Sequence, residues 1–208
     1  MSQKIERRAM TLKELRIVDD DEKGNTIEGY AAVFDSWSEE LGGNMPFREK
    51  VVKGAFTESI QKSDIRALVN HDPSLILGRN TAGTLELAED EKGLFVRIKP
   101  PGTQVGKDIV TSLSRGDISQ MSIGFTVELD KWSYEDEVDV RELLKVKLFD
   151  VSIVTYPAYT QTEVSVRSLE SVYQARADEK QIENQKREEK LLQIKAKFNK
   201  SEEQNEQT

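Results

Sequence analysis

His71, Ser122 and Asp150 are residue types that can together activate a hydroxyl for nucleophilic attack. A serine hydroxyl is a weak nucleophile near neutral pH, so it needs a neighbouring base to take its proton. The base in turn needs a third group to fix its tautomer and to stabilise the imidazolium that forms. His71, in the stretch VNHDPSLILGR, is the one histidine among 208 residues, so any chemistry of this kind must use it as the base. Taken alone, a single imidazole more often marks an incidental surface or core position.

Strand periodicity assigns these side chains to faces. In SQMSIGFTVEL, Met121, Ile123, Phe125, Val127 and Leu129 alternate onto a core face, leaving Ser122, Gly124, Thr126 and Glu128 on the other. Ser122 would then stand on the outer surface of an anchored strand, with Gly124 leaving room for a ligand's backbone. The plainer reading of the same pattern is an ordinary solvated strand face. In KVKLFDVSIVTYPAY, Lys147, Phe149, Val151 and Ile153 share one face, and Val146, Leu148, Asp150, Ser152 and Val154 the other. Both faces are largely apolar, which predicts a central strand. An acid there requires a partner, either a histidine N–H or an Arg or Lys. His71 closes the strand IRALVNH just before Pro73 ends it. Ser119 and Ser152 are rival nucleophiles, and Ser119 falls on the apolar face of its strand.

The elements that must hold these residues read as mostly β over residues 11 to 167. Runs such as TLKELRIV, IEGYAAVF, IRALVNH, GTLELAE, GLFVRIK, SIGFTVEL and KVKLFDVSIVT are rich in Val, Ile, Phe and Thr. DDDEKGN and EDEKG read as tight turns between strands. Asp19, Asp21 and Gly24 imitate the start of a calcium loop, but the position that should supply Glu holds Tyr30. Two short helices interrupt the strands. KGAFTESIQKS places Phe56 and Ile60 on one stripe, and TQVGKDIVTSLSRGD places Val105, Ile109 and Leu113 on another before stopping at Gly116. Many short strands with few helices predict a mainly β fold with peripheral helices, as a closed or nearly closed barrel.

Composition excludes several chemistries. The chain has no cysteine, which removes disulfides, thiolate metal sites and cysteine nucleophiles. A net charge of −8 argues against a general nucleic-acid binder. No apolar stretch is long enough for a membrane span, and MSQKIERRAM lacks the apolar run of a secretory signal. Residues 1–10 read as an N-terminal arm, 11–167 as the folded domain and 168–208 as a polar tail. From residue 169 onward, 8 Lys/Arg face 9 Asp/Glu, with no Gly or Pro. Such a tail is helical or disordered with little to bury. Leu191, Ile194 and Phe198 offer a sharper alternative, a helix that pairs with another chain.

Several phrases resemble, in order along residues 11–167, the tailed-bacteriophage prohead (capsid maturation) protease family. They are VVKGAFTESI, IRALVNHDPSLILGR, TAGTLEL, GLFVRIKPPGT, LSRGDISQMSIGF and LFDVSIVTYPAY. That family is one of serine endopeptidases related to the herpesvirus assemblins, whose fold is a β-barrel ringed by helices. The resemblance places the family's histidine on His71, its nucleophile on Ser122 and its third catalytic residue on Asp150. It departs at Asp150, where the family commonly carries the longer Glu, and where assemblins use a second histidine that this chain lacks. The assemblin arginine loop also has no counterpart, since the matching turn is TYPAYT. Backbone N–H groups of Ala158 and Tyr159 are the candidates for an oxyanion hole there.

The resemblance implies a capsid maturation endopeptidase working without metal or cofactor inside the assembling prohead, in the host cytoplasm. Its substrates would be the scaffolding segment of the major capsid protein or a separate scaffold protein, and the protease itself. A homodimer or higher homo-oligomer is implied, with no nucleic-acid or membrane partner. The alternative is a non-enzymatic scaffold or structural virion protein whose tail makes the contacts. A metal-dependent hydrolase is the weakest reading, because one histidine and scattered carboxylates give no ligand spacing.

Overall fold

The structure, a computed structural model, describes residues 5–10, 15–18, 25–42 and 45–156, together with residues 170–175, 177–178, 181–182, 186 and 190. The chain divides into two units, residues 1–164 and 165–208. In the second, the described residues are helical.

Ten strands form two sheets in the first unit. Strands β1 (Glu6–Met10), β9 (Gln120–Glu135), β10 (Val138–Val154), β5 (Arg66–Val69) and β6 (Asp72–Arg79) lie side by side in that order, and β4 (Phe47–Val51) also pairs with β10. The second sheet runs β2 (Arg16–Val18), β3 (Thr26–Val33), β8 (Gly93–Ile98), β7 (Leu85–Glu89). The mainly β expectation holds. The closed barrel does not appear in the pairing: among the described residues β1 and β6 end one sheet, and β2 and β7 the other. A single parallel bridge, Phe34 to Val51, connects them. The core between the sheets includes Ile27, Phe34, Phe56, Ile98, Ile123, Phe125 and Leu148.

Strand β10 is the spine. One edge pairs antiparallel with β9, and the other pairs parallel first with β4, from Asp139 to Leu143, and later with β5, from Asp150 to Ile153. Between those two partners the ladder donors of β10 would be orphaned, at a cost of roughly 1–3 kcal/mol each. The crossover from β4 to β5 supplies the missing groups. Val146 N–H donates to the Ala55 carbonyl at 3.0 Å, and Leu148 N–H to Ser59 Oγ at 2.7 Å. Ser59 belongs to α1 (Thr57–Lys62), so this short helix completes the sheet edge just before Asp150. Helix α2 (Gln104–Arg115) ends as its sequence indicates, on Gly116 at φ +78°.

Three strands differ from the sequence expectation. Glu6–Met10, read as part of an arm, is the edge strand β1, and Phe47–Val51 is the parallel strand β4. Asp72–Arg79 forms β6 with Pro73 inside it rather than beyond it. Proline is tolerated there because β6 is the last strand of its sheet, where no neighbour needs its missing N–H.

Candidate active site

Ser122 and Asp150 come from the adjacent strands β9 and β10, and His71 from the turn that follows the next strand, β5. Ser122 lies near the start of β9 and is directly opposite Ser152 of β10; Gly124 is likewise opposite Asp150. Asp150 is opposite Arg66 of β5 on the other side. The chain leaves β5 at Val69 and returns as β6 at Asp72, so Asn70 and His71 are the two residues of a hairpin turn. Their φ values are +51° and +58°, the paired positive φ that two-residue hairpins require. Asn and His are among the few side chains that enter this region readily. His71 therefore occupies a turn rather than closing a strand.

The turn is held from the strand beside it. Asn70 N–H donates to the Ile153 carbonyl at 2.9 Å, and Thr155 N–H donates to Asn70 Oδ1 at 2.9 Å. Asn70 Nδ2 adds a longer bond to Thr155 Oγ1 at 3.3 Å. This clamp aims the imidazole back over β10 and β9. His71 Nδ1 lies 2.6 Å from Asp150 Oδ1, and Nε2 lies 2.7 Å from Ser122 Oγ. A carboxylate only accepts hydrogen bonds, so Nδ1 carries the proton and Nε2 presents its lone pair to the Ser122 hydroxyl.

All three groups are buried, Ser122 completely, with His71 at 8% and Asp150 at 9% exposure. Ser122 is thus not on a solvated face, because His71, Asp150 and Ser152 cover the side that alternation assigns to water. Leu129 errs in the other direction: expected in the core, it is 54% exposed. Gly124 gives room to the Asp150 carboxylate rather than to a ligand's backbone. Of the rival serines, Ser119 is exposed ahead of β9. Ser152 is completely buried and donates to Asp150 Oδ1 at 2.6 Å. Ala158 and Tyr159 lie outside the described residues.

A second polar cluster was invisible in the sequence. Arg8 and Arg141 interleave with Glu6, Glu49 and Asp130 beneath β1, β4, β9 and β10. Arg8 Nε meets Glu49 at 2.8 Å, Arg8 Nη2 meets Glu6 at 2.7 Å, and Arg141 Nε meets Asp130 at 2.7 Å. Burial opposes the Arg141 charge, and the carboxylates of Glu49, Glu6 and Asp130 more than offset it, so its proton is held more tightly than usual. Trp132 and Phe125 present ring faces to Arg141 and Arg8. This cluster is ion-paired through and through, and it fastens β1 to the sheet. Among the described residues no group of three or more His, Asp or Glu is arranged to hold a metal ion, and no buried side-chain polar atom lacks a hydrogen-bond partner. Nor is any helix there long and apolar enough to cross a membrane.

Comparison with known proteins gives two matches. The family described as Caudovirus prohead serine protease matches residues 13–175. A prohead protease of Enterobacteria phage HK97 is 29% identical over 149 residues, which is 70% of this chain and 61% of that relative's length. No solved structure matches.

Proposed function

This chain belongs to the caudovirus prohead serine protease family, and from that premise we propose that it is an endopeptidase whose nucleophile is Ser122, whose general base is His71 and whose orienting acid is Asp150. The observation that carries the reading is the unbroken run of hydrogen bonds from Ser122 Oγ through both ring nitrogens of His71 to Asp150 Oδ1. Ser122 Oγ attacks the scissile carbonyl carbon as its proton passes to His71 Nε2. The tetrahedral intermediate collapses, the C–N bond breaks, and His71 returns the proton to the departing amine. Water then repeats the sequence on the acyl-enzyme, releasing the second product and restoring the Ser122 hydroxyl. Asp150 stays ionised throughout and stabilises the imidazolium.

Asp150 reaches His71 although it is one methylene shorter than the family's usual Glu. Support comes from the turn: Asn70 and His71 fold back toward β10, which shortens the span the acid must cover. Backbone N–H groups of Ala158 and Tyr159 would complete the site as oxyanion donors. Full burial of Ser122 means that a substrate carbonyl reaches Oγ only after the enclosing chain moves. Such restraint suits a protease that must wait for its shell to assemble.

The same proposal covers the surroundings. The substrate is the scaffolding segment of the major capsid protein or a separate scaffold protein, together with the protease's own chain. The work is done inside the prohead in the host cytoplasm, by a dimer or larger homo-oligomer. Closure of the two sheets into an assemblin-like barrel belongs to the proposal as well, and the Phe34–Val51 bridge is the corner at which the sheets already meet.

The test is the intact mass of the full chain and of the phage's major capsid protein after co-expression. Wild type should shorten one or both at defined peptide bonds, and Ser122→Ala should leave both whole. Equal cleavage by the two would remove Ser122 as nucleophile. No cleavage by either would return the chain to the scaffold reading.

A further inference from the structure

Asp150 Oδ1 receives two short hydrogen bonds, not one. His71 Nδ1 and Ser152 Oγ each lie 2.6 Å from it. Ser152 follows Asp150 by two residues on β10, so strand alternation puts both side chains on one face. It is fully buried and stands opposite Ser122 in the ladder. Because a carboxylate accepts only, the Ser152 hydroxyl must spend its proton on Asp150. A hydroxyl committed in this way is not poised for deprotonation by His71, which separates its role from that of Ser122.

The torsion that turns a carboxylate about its last bond is soft and has no sharp intrinsic minimum. Something else must fix which oxygen faces the imidazole. Gly124 admits Oδ2 on one side, and Ser152 holds Oδ1 on the other. We propose that Ser152 is a positioning residue that sets both the orientation of Asp150 and the basicity of His71. The proposal rests on the reading of Ser122, His71 and Asp150 as a catalytic triad.

The electrostatic consequence has a definite sign. With its hydroxyl gone, the Asp150 carboxylate keeps its charge but loses a donor, so it draws more strongly on a proton at His71. Protonated His71 gains, and the acid limb of the pH–rate profile moves to higher pH. Other charges around the pair are engaged elsewhere or lie at the rim. Arg66, opposite Asp150 on β5, turns to Asp64, and Asp72, beside His71, accepts from Ser74. Arg7 of β1, opposite Gly124, is an exposed cation on the same face.

The test compares the full chain with Ser152→Ala on a peptide that spans a mapped cleavage site. Loss of one hydrogen bond to a charged group predicts roughly a ten-fold fall in kcat, an unchanged KM, and an acid limb displaced upward. In the inactive Ser122→Ala background, the Nδ1 proton resonance of His71 should also move when Ser152→Ala is added. A wild-type kcat, limb and resonance in Ser152→Ala would overturn the proposal. If Ser152→Ala does not fold, Ser152→Cys substitutes a weak donor of similar shape. Its limb should move in the same direction by less, and an unmoved limb would overturn the proposal. Cleavage that survives Ser122→Ala would instead refute the triad itself, so the two failures are told apart.

Discussion

The carboxylate of Asp150 occupies the space that a side chain at position 124 would need. A Cβ built on Gly124 would collide with Oδ2 and sit 3.0 Å from Cγ. Gly124 and Asp150 are opposite one another in the β9–β10 ladder, and each pairs on its outer edge as well, Gly124 with Arg7 and Asp150 with Arg66, which restrains both backbones. Gly124→Ala should therefore turn the carboxylate away from His71. Loss of the orienting group of a triad costs about 10⁴ in kcat at its largest, so a fall of roughly 10²–10⁴ is expected with the fold retained. Circular dichroism and a peptide-cleavage assay on one preparation check it. Wild-type activity in Gly124→Ala would show that Asp150 does not need that seat.

Asn70 combines a positive φ with the clamp on Thr155. Asn70→Gly keeps the backbone conformation and loses both side-chain hydrogen bonds, each worth roughly 0.5–1.5 kcal/mol. Asn70→Val loses the bonds and adds strain, because a β-branched residue at positive φ is a genuine outlier. Denaturant unfolding should rank wild type above Gly, and Gly above Val. Cleavage should weaken in the same order, since the turn aims His71. Equal stabilities for wild type and Gly would refute the clamp, and equal stabilities for Gly and Val would refute the strain at positive φ.

The buried cluster around Arg141 is expected to behave asymmetrically. Arg141→Met leaves Glu6, Glu49 and Asp130 facing a neutral side chain in a site where Arg141 itself is 3% exposed. Removing one partner of a buried pair costs about 3–5 kcal/mol, whereas replacing a whole cluster by apolar residues is often neutral. Urea midpoints of Arg141→Met and of a jointly apolar variant at positions 6, 8, 49, 130 and 141 distinguish the cases. The single substitution should be the worse one.

Acid stability has a specific contributor. The Arg79 guanidinium, which meets Asp64 through two bonds of 2.7 Å, holds the Asp64 carboxyl down to about 2, with Arg66 adding to the effect. A carboxyl whose folded pKa is depressed stabilises the fold above its unfolded value and loses that contribution as pH falls toward the folded one. Wild type should thus lose stability between about pH 4 and pH 2, and Asp64→Asn should lack that part of the slope. Thermal midpoints across this range measure it, and parallel curves for the two chains would contradict it.

Those charges also explain what the sequence left hidden. ERRAM and FREKV are hard to read as strands, because charged residues take inward positions, Glu6 and Arg8 in β1 and Glu49 between the buried Phe47 and Val51 in β4, and alternation of apolar residues is the usual signal. The charges neutralise one another across strands, a pairing that only the fold reveals. β9 and β10 were legible at their apolar ends, as were α1 and α2 from Phe56–Ile60 and Val105–Leu113. The faces of β9 were half legible. Met121, Ile123 and Phe125 are in the core, but Ser122 is buried too, because a turn about fifty residues earlier in the chain lands on it. His71, Ser122 and Asp150 could be singled out by type, yet the Asn70–His71 turn could not, since Pro73 beside it suggested a strand end. From the sequence Ser152 stands only as a rival nucleophile. Its spacing from Asp150 gives a shared face, and only the fold shows which way its hydroxyl points.

The most direct test of the account is whether Ser122 and His71 act as one unit. Rates for cleavage of a mapped site should be measured with Ser122→Ala, His71→Ala and the double variant. Groups that share one proton transfer are grossly non-additive, so each single loss should approach the full effect, of order 10⁴ or more, and the double should be no slower. Modest single losses that multiply in the double variant would mean that the two residues do separate jobs, and the triad would fall.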